Sequence, residues 1–220
     1  MTLLLLLTGT TCFAQRDYLS KYSSYVGFSN INAPFVNNLN QPGLGAQFGM
    51  VHNRWVESGL DYSVQNGTGP LTADLLTNRL QAGLAAALPP GYTLRLPMNV
   101  NIQTFAGGPQ LTYRRFARAP IFIHPVITAL RIAATPRPKD PIQAAIARAL
   151  VPSGKKVDIT PGFGFGGGTD LRISKHLSLR MQMDGAWSHP VDDILGHGGW
   201  ILRAGVGPAF HFGRDMNGGK

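Results

Sequence analysis

Near the end of the chain a hydroxyl, two imidazoles and two carboxylates fall within ten residues: Ser188, His189, Asp192, Asp193 and His197. A serine beside a base is the minimum for acyl transfer, and a His/Asp set can hold a divalent ion. The spacing does not align these groups into a dyad, and a hydrated polar loop accounts for them without chemistry. Gly162-x-Gly164-x-x-Gly167 has the letters of a dinucleotide fingerprint. Its context fails the motif, because it leads into Leu171-Arg172-Ile173 within a strand pattern rather than opening a helix. These glycines read instead as room for long inward side chains of neighbouring strands. No catalytic, metal or cofactor residue is therefore assigned; His124, His176 and His211 read as structural, and His52 as a turn residue. The charges with a definite expectation are Asp170, Arg172, Arg180, Asp184 and Arg203. All fall on the polar side of alternating segments, and an unpaired charge in a closed interior is costly, so they should pair across strands as an ionic network. A narrow ion-conducting gate is the functional alternative.

The elements that must hold these groups are strands. Val56, Ser58, Leu60, Tyr62 and Val64 alternate with Glu57, Gly59, Asp61, Ser63 and Gln65. Leu177, Leu179, Met181, Met183 and Trp187 alternate with Ser178, Arg180, Gln182 and Asp184. Trp200, Leu202, Ala204, Val206, Phe210 and Phe212 oppose Arg203, Gly205, Gly207 and His211. This is the period of a β-strand. Eight such segments are expected, at 22–31, 43–51, 55–65, 94–114, 121–132, 157–173, 176–187 and 199–212. In the fourth, the apolar parity reverses after Gly107-Gly108-Pro109, which predicts one long strand with a glycine-marked bulge, two separate strands being the alternative. Pro125, Pro161 and Pro208 are expected at strand ends or bulges, since proline removes a ladder donor. Connections alternate long (32–42, 66–93, 133–156, 188–198) and short (52–54, 115–120, 174–175), the mark of an up-and-down meander. Leu75, Leu76, Leu80 and Leu84 lie near helical spacing, and Pro141–Leu150 reads as a short helix with proline at its start.

The 220 residues are 44% hydrophobic but only 14% charged, with 27 Gly and 16 Pro. That is a poor match to a soluble domain, which is about 25% charged. Segments of 12–14 residues exceed ordinary soluble strands and suit a tilted span. Glycine fills much of the polar parity, and Trp55, Tyr62, Tyr113, Trp187, Trp200, Phe210 and Phe212 sit near strand ends as an interfacial belt would. A soluble ligand-binding barrel is the competing fold, and it would bury the Val56–Leu60–Tyr62 face. The net charge of +9 comes without an aromatic–basic groove, so nucleic acid is not the expected partner. Arg114, Arg115 and Arg118, and later Arg131, Arg137, Lys139, Arg148, Lys155 and Lys156, are solvated loop charges or contacts to lipid phosphates. Leu3–Leu7 followed by small residues to Ala14 reads as a signal peptide over 1–14, leaving 15–220 as one barrel domain. Cys12 is the one cysteine, so disulfides and thiolate metal sites are not expected after cleavage.

Asn53-Arg54-Trp55 leading into Gly59-Leu60-Asp61-Tyr62-Ser63, and Gly108-Pro109-Gln110-Leu111-Thr112-Tyr113-Arg114, carry a family resemblance. So do Gly162 to Asp170, Ser174-Lys175-His176-Leu177-Ser178-Leu179-Arg180, and Arg203-Ala204-Gly205-Val206-Gly207 before Phe210-His211-Phe212-Gly213. On these residues the chain resembles the outer-membrane protein beta-barrel domain family, related to the transmembrane barrel of outer-membrane protein A. The resemblance implies an all-β, eight-stranded antiparallel up-and-down transmembrane β-barrel in the outer membrane of a Gram-negative-type cell. It implies a monomer inserted by the outer-membrane assembly machinery, which reads a last strand ending in an aromatic residue, here Phe212. The partners expected are outer-membrane lipids, with lipopolysaccharide phosphates meeting the basic loops. The expected role is structural or surface-interaction, without catalysis. A small lipid-modifying enzyme and a narrow ion-conducting barrel are the alternatives.

Overall fold

The computed structural model describes residues 18–116 and 118–217. The expected signal segment 1–14, with Cys12, lies outside them. Eight antiparallel strands follow in order: β1 (Ser20–Ala33), β2 (Leu39–Val51), β3 (Val56–Thr72), β4 (Arg95–Tyr113), β5 (Ile121–Pro136), β6 (Lys156–Arg172), β7 (Leu177–Ser188) and β8 (Gly199–Asp215). Each pairs with its neighbour in sequence, and β8 pairs back onto β1 from Ser23↔His211 to Asn32↔Leu202, closing the barrel. Closure satisfies every strand edge, which a bilayer requires because it offers no water to free backbone groups. Between β3 and β4 run a short 3₁₀ turn (Ala73–Leu75) and helix α1 (Asn78–Ala87); α2 (Pro141–Leu150) lies between β5 and β6. Helix α2 has Pro141 in its first turn, and the Asp140 carboxylate accepts from Gln143 N–H at 2.7 Å.

The strands carry an outward apolar belt. Leu60 is 71% exposed, Ile127 75%, Phe165 67% and Met183 59%, values that place these side chains against lipid rather than in a core. The Leu60–Tyr62 face is thus outside, which excludes a soluble barrel. Aromatic pairs rim the belt twice. Trp55 stacks on Tyr113 and Tyr22 on Phe48 at the short-turn end, while Phe163 meets Trp187 and Phe165 meets Trp200 nearer the loops. On β8, Trp200 and Phe212 stand twelve residues apart. At about 3.3 Å per residue and a tilt near 40°, that is roughly 30 Å, about the height of a hydrocarbon band.

Toward the loops the arrangement inverts on β1 to β4. Facing outward are Asn30, Asn32, Asn40, Asn66, Asn101 and Gln103, with Asn101 donating to Asn66 at 2.7 Å. Facing inward at that height are Ile31, Ala33, Leu71, Leu96, Met98, Ile102 and Leu130, packed in two apolar clusters beneath α2 and residues 191–195. Polar outside and apolar inside is what water demands, so β1 to β4 rise out of the bilayer before they end, whereas β6 and β8 keep Val157, Ile159, Trp200 and Leu202 exposed toward the loops.

Three expectations need correcting. β4 has no bulge: its pairing with β3 runs in one register from Val56↔Leu111 to Thr72↔Arg95, and its even-numbered residues face inward throughout. The apolar parity reverses because the surroundings reverse. Met98 and Ile102 face the apolar upper interior, whereas Leu111 and Tyr113 face lipid. The first connection is also much shorter than expected, a turn over 34–38 in which Asn37 and Asn38 take positive φ, as asparagine tolerates. Finally, Pro125 and Pro208 lie well inside strands. β4–β5 pairing lapses between Gly107↔Ile127 and Leu111↔Ile123, opposite Pro125. β1–β8 pairing lapses between Tyr25↔Ala209 and Phe28↔Val206, opposite Pro208. Each missing N–H thus coincides with a gap in one ladder. Pro161 also lies inside β6, paired with Ala129 of β5, and only the β6–β7 ladder stops beside it, at Gly162↔Ser188.

Candidate functional site

The lower interior is a polar plug built from inward positions of all eight strands. On β7, Arg180 is 1% exposed, and its Nε and Nη2 donate to the two oxygens of Asp170 on β6, each at 2.7 Å. Its Nη1 donates to Gln47 of β2 at 2.6 Å, and its guanidinium lies 4.9 Å from the Phe122 ring centre. This fork geometry uses the guanidinium's planarity on both carboxylate oxygens and the ring face. Higher up, Arg203 of β8 donates to Asp184 from Nε at 3.1 Å and Nη2 at 2.6 Å, to Ser63 at 3.1 Å, and to Asp61. His124 Nε2–H donates to the other oxygen of Asp184 at 2.9 Å. A third group lies toward the short-turn end, where the Ser23 hydroxyl donates to Glu57 and the Gln110 amide reaches the same carboxylate at 3.4 Å.

Of the five charges singled out from sequence, Asp170 meets Arg180 and Asp184 meets Arg203. Arg172 is half-buried at the short-turn end, and its backbone N–H donates to the Arg118 carbonyl at 2.8 Å. Sequence reading passed over Asp61, Glu57, His124 and Gln47 as members. The first two share the inward parity of β3, and that parity is the signal that points to them. Glycine makes the space. A Cβ at Gly166 would collide with Asp184 and come within 2.8 Å of His124 Nε2, and one at Gly49 would collide with Glu57.

The loop residues that suggested chemistry are employed otherwise. The Ser188 hydroxyl is buried and donates to the Pro161 carbonyl at 3.1 Å, and His189 Nε2–H donates to the Leu195 carbonyl at 3.1 Å. Asp193 pairs with Lys156, while Asp192 and His197 are exposed. Among the described residues no three His, Cys, Asp or Glu side chains gather as a metal ion would need. A Ser–His hydrogen bond does exist at the short-turn end, Ser178 Oγ to His211 Nε2 at 2.8 Å, with Ser178 fully buried. In the loops, partial burial and the adjacent Asp140 carboxylate hold the Tyr92 phenol above its ordinary pKa.

The free space inside is divided. An apolar chamber of about 100 Å³ occupies the loop end. Beneath it, Thr104, Thr128, Asp184, Ser188 and Arg203 border a void of about 30 Å³, and two more of about 20 Å³ flank the lower plug. Each small void has room for a water or two, since one probe sphere needs about 10–15 Å³.

No family model matches the chain, and no curated protein matches it. Among solved structures it is similar to Neisserial surface protein A, with a TM-score of 0.59 at 7% identity, covering 88% of this chain and 98% of that one. It is also similar to Ail, the attachment invasion locus protein of Yersinia pestis, at a TM-score of 0.52 and 8% identity over 88% of this chain and 99% of that one. A second structure of Ail, in complex with the heparin analogue sucrose octasulfate, gives 0.51 at 9% identity over the same shares. Likeness at such identity is a likeness of fold, and the fold shared is the eight-stranded outer-membrane barrel.

Proposed function

We propose that this barrel of outer-membrane architecture resides as a monomer in the outer membrane of a Gram-negative-type envelope. There it serves as a non-catalytic surface protein that binds anionic groups at its loop end. In barrels of this type the long loops face the exterior and the short turns the periplasm. The observation that carries the reading is the charge of the outer end. Arg79, Arg95, Arg131, Arg137, Lys139, Arg148, Lys155 and Lys156 stand against Asp74, Asp140, Asp158, Asp192 and Asp193. Two of those acids are engaged within the fold, Asp140 capping α2 and Asp158 accepting from Val191 N–H at 2.6 Å, while Asp193 and Lys156 pair with each other. Excess cations at this height suit phosphate or sulfate, which arginine and lysine bind by charge-assisted hydrogen bonds. The same fold in Ail accommodates sucrose octasulfate. Insertion by the outer-membrane assembly machinery would use the last strand, with Phe212 as its terminal aromatic.

The test joins location to binding. The protein should fractionate with the outer membrane and migrate differently on a gel with and without boiling; recovery as a soluble periplasmic protein would sink the reading. Refolded into nanodiscs, it should bind lipopolysaccharide and sucrose octasulfate with an affinity that falls as salt rises. Arg137→Glu, Lys139→Glu and Arg148→Glu together, all in the β5–β6 connection, should cut that affinity at least about tenfold. Unchanged binding in the triple variant would remove the basic loops from the proposal.

A further inference from the structure

We propose that the apolar chamber at the outer mouth is a binding site for a single-tailed amphiphile. The tail lies in the chamber and the anionic head meets Lys156. The chamber is walled by the inner faces of β1, β3, β4, β5 and β8, among them Ile31, Leu71, Met98, Ile102 and Ile201, and roofed by Leu150, Val151, Pro190, Val191, Ile194 and Leu195. Every lining residue is apolar, proline or glycine except Lys156, and the chamber is partly open to the exterior. Apolar cavities stay dry and take apolar guests; one of about 150 Å³ admits benzene. At about 100 Å³, this one suits a short alkyl chain or the end of a longer one.

Head and gate are both specified. Lys156 is the one charged residue of the lining, its side chain 29% exposed, and it now pairs with Asp193, itself 57% exposed. A carboxylate or phosphate arriving with an alkyl tail can replace that exposed counter-ion without leaving Lys156 uncompensated. Among the described residues the roof is held by four polar contacts to its surroundings besides the Lys156–Asp193 pair. They are Val191 N–H on Asp158, His189 Nε2–H on the Leu195 carbonyl at 3.1 Å, and Thr77 N–H on the Ile194 carbonyl and Gly196 N–H on the Leu75 carbonyl, both at 2.9 Å. Val191 has φ of +52°, a conformation that a β-branched residue rarely adopts. Movement of this segment would relieve it and admit a longer tail. The inference does not depend on the polyanion reading, because its site is apolar and its cation is a single named lysine.

The experiment uses the barrel in nanodiscs, with empty nanodiscs as the measure of simple partitioning, and three probes: octanoate, octyl phosphate and 1-octanol. Saturable binding is read by ligand-observed NMR. Wild type should bind all three above the empty-disc background. Ala134→Trp, which fills the chamber, should abolish saturable binding of all three, and Ala33→Phe provides a second filling should the first not fold, folding being scored by gel shift. Lys156→Gln should weaken octanoate and octyl phosphate about tenfold while leaving 1-octanol within about twofold. A preference between the two anions distinguishes a free fatty acid from a phosphate-bearing lipid tail. Absence of saturable binding in wild type, or its survival in a folded chamber-filled variant, overturns the site. An equal effect of Lys156→Gln on all three probes, or none, overturns the head assignment.

Discussion

Arg180 is the largest fully buried side chain among the described residues, and its environment shows why a charge can be stable there. Both oxygens of Asp170, the Gln47 amide oxygen and the Phe122 face take up the guanidinium. Removing one partner of such a pair leaves a charge with no solvent, a cost of about 3–5 kcal/mol, whereas removing both can be close to neutral. Arg180→Met should therefore lower the stability of the vesicle-refolded barrel by about 3–5 kcal/mol. Arg180→Met with Asp170→Leu should lower it less than the single change. Urea unfolding followed by gel shift reads both, and a double variant less stable than Arg180→Met would mean that Asp170 has other partners of equal weight. The same logic explains the residues that sequence reading missed. Asp61 and Glu57 look like ordinary water-facing acids in a sandwich and like buried acids in a barrel; alternation is identical in both.

At the scale of the element, a strand here is two strands end to end. The lower part of β4, with Phe105, Leu111 and Tyr113 outward, obeys the bilayer; the upper part, with Asn99 and Asn101 outward, obeys water. Substitution by lysine should distinguish the two. Ile127→Lys, in the middle of the belt, should destabilise the barrel in lipid by about 2–4 kcal/mol. Thr68→Lys, outward on the upper part of β3, should change stability by less than about 1 kcal/mol. Equal costs in the same unfolding assay would move the membrane boundary up over β3. The prolines follow the element's needs too. Where a strand carries Pro125 or Pro208, the neighbouring ladder is interrupted, and the belt of side chains continues past it.

For the whole molecule, charge and space decide what the barrel can do. At the periplasmic end Lys21, Arg54, Arg114, Arg115, Arg118, Arg172, Lys175 and Arg214 stand against Asp215, so most of the net +9 gathers at the short turns. The lumen runs the other way, with Glu57, Asp61, Asp170 and Asp184 around Arg180 and Arg203. Arg54 lies 5.1 Å over Trp55 and Lys21 5.6 Å over Tyr22, the posture of bases anchored at an aromatic belt beside phosphate headgroups. The lumen's free space lies in separate voids below the apolar chamber. Wild-type protein in a planar bilayer should accordingly give no discrete conductance steps, and regular steps at neutral pH would restore the ion-conducting alternative.

The order and count of strands, the two helices, the lipid-facing parity of most strands and four of the charges that pair on β6 to β8 were legible in the chain. All of these follow from local period, and period survives in one dimension. What alternation leaves open is at what height each residue sits and which distant side chains meet across the interior. Those depend on closure of β8 onto β1 and on the stagger of neighbouring strands. The apparent bulge at Gly107–Pro109, the membership of Asp61, Glu57 and His124 in the plug, and the apolar chamber beside Lys156 all arise there. Only the closed barrel brings residues more than a hundred positions apart, such as Asp61 and Arg203, into one dry interior where their charges must be matched.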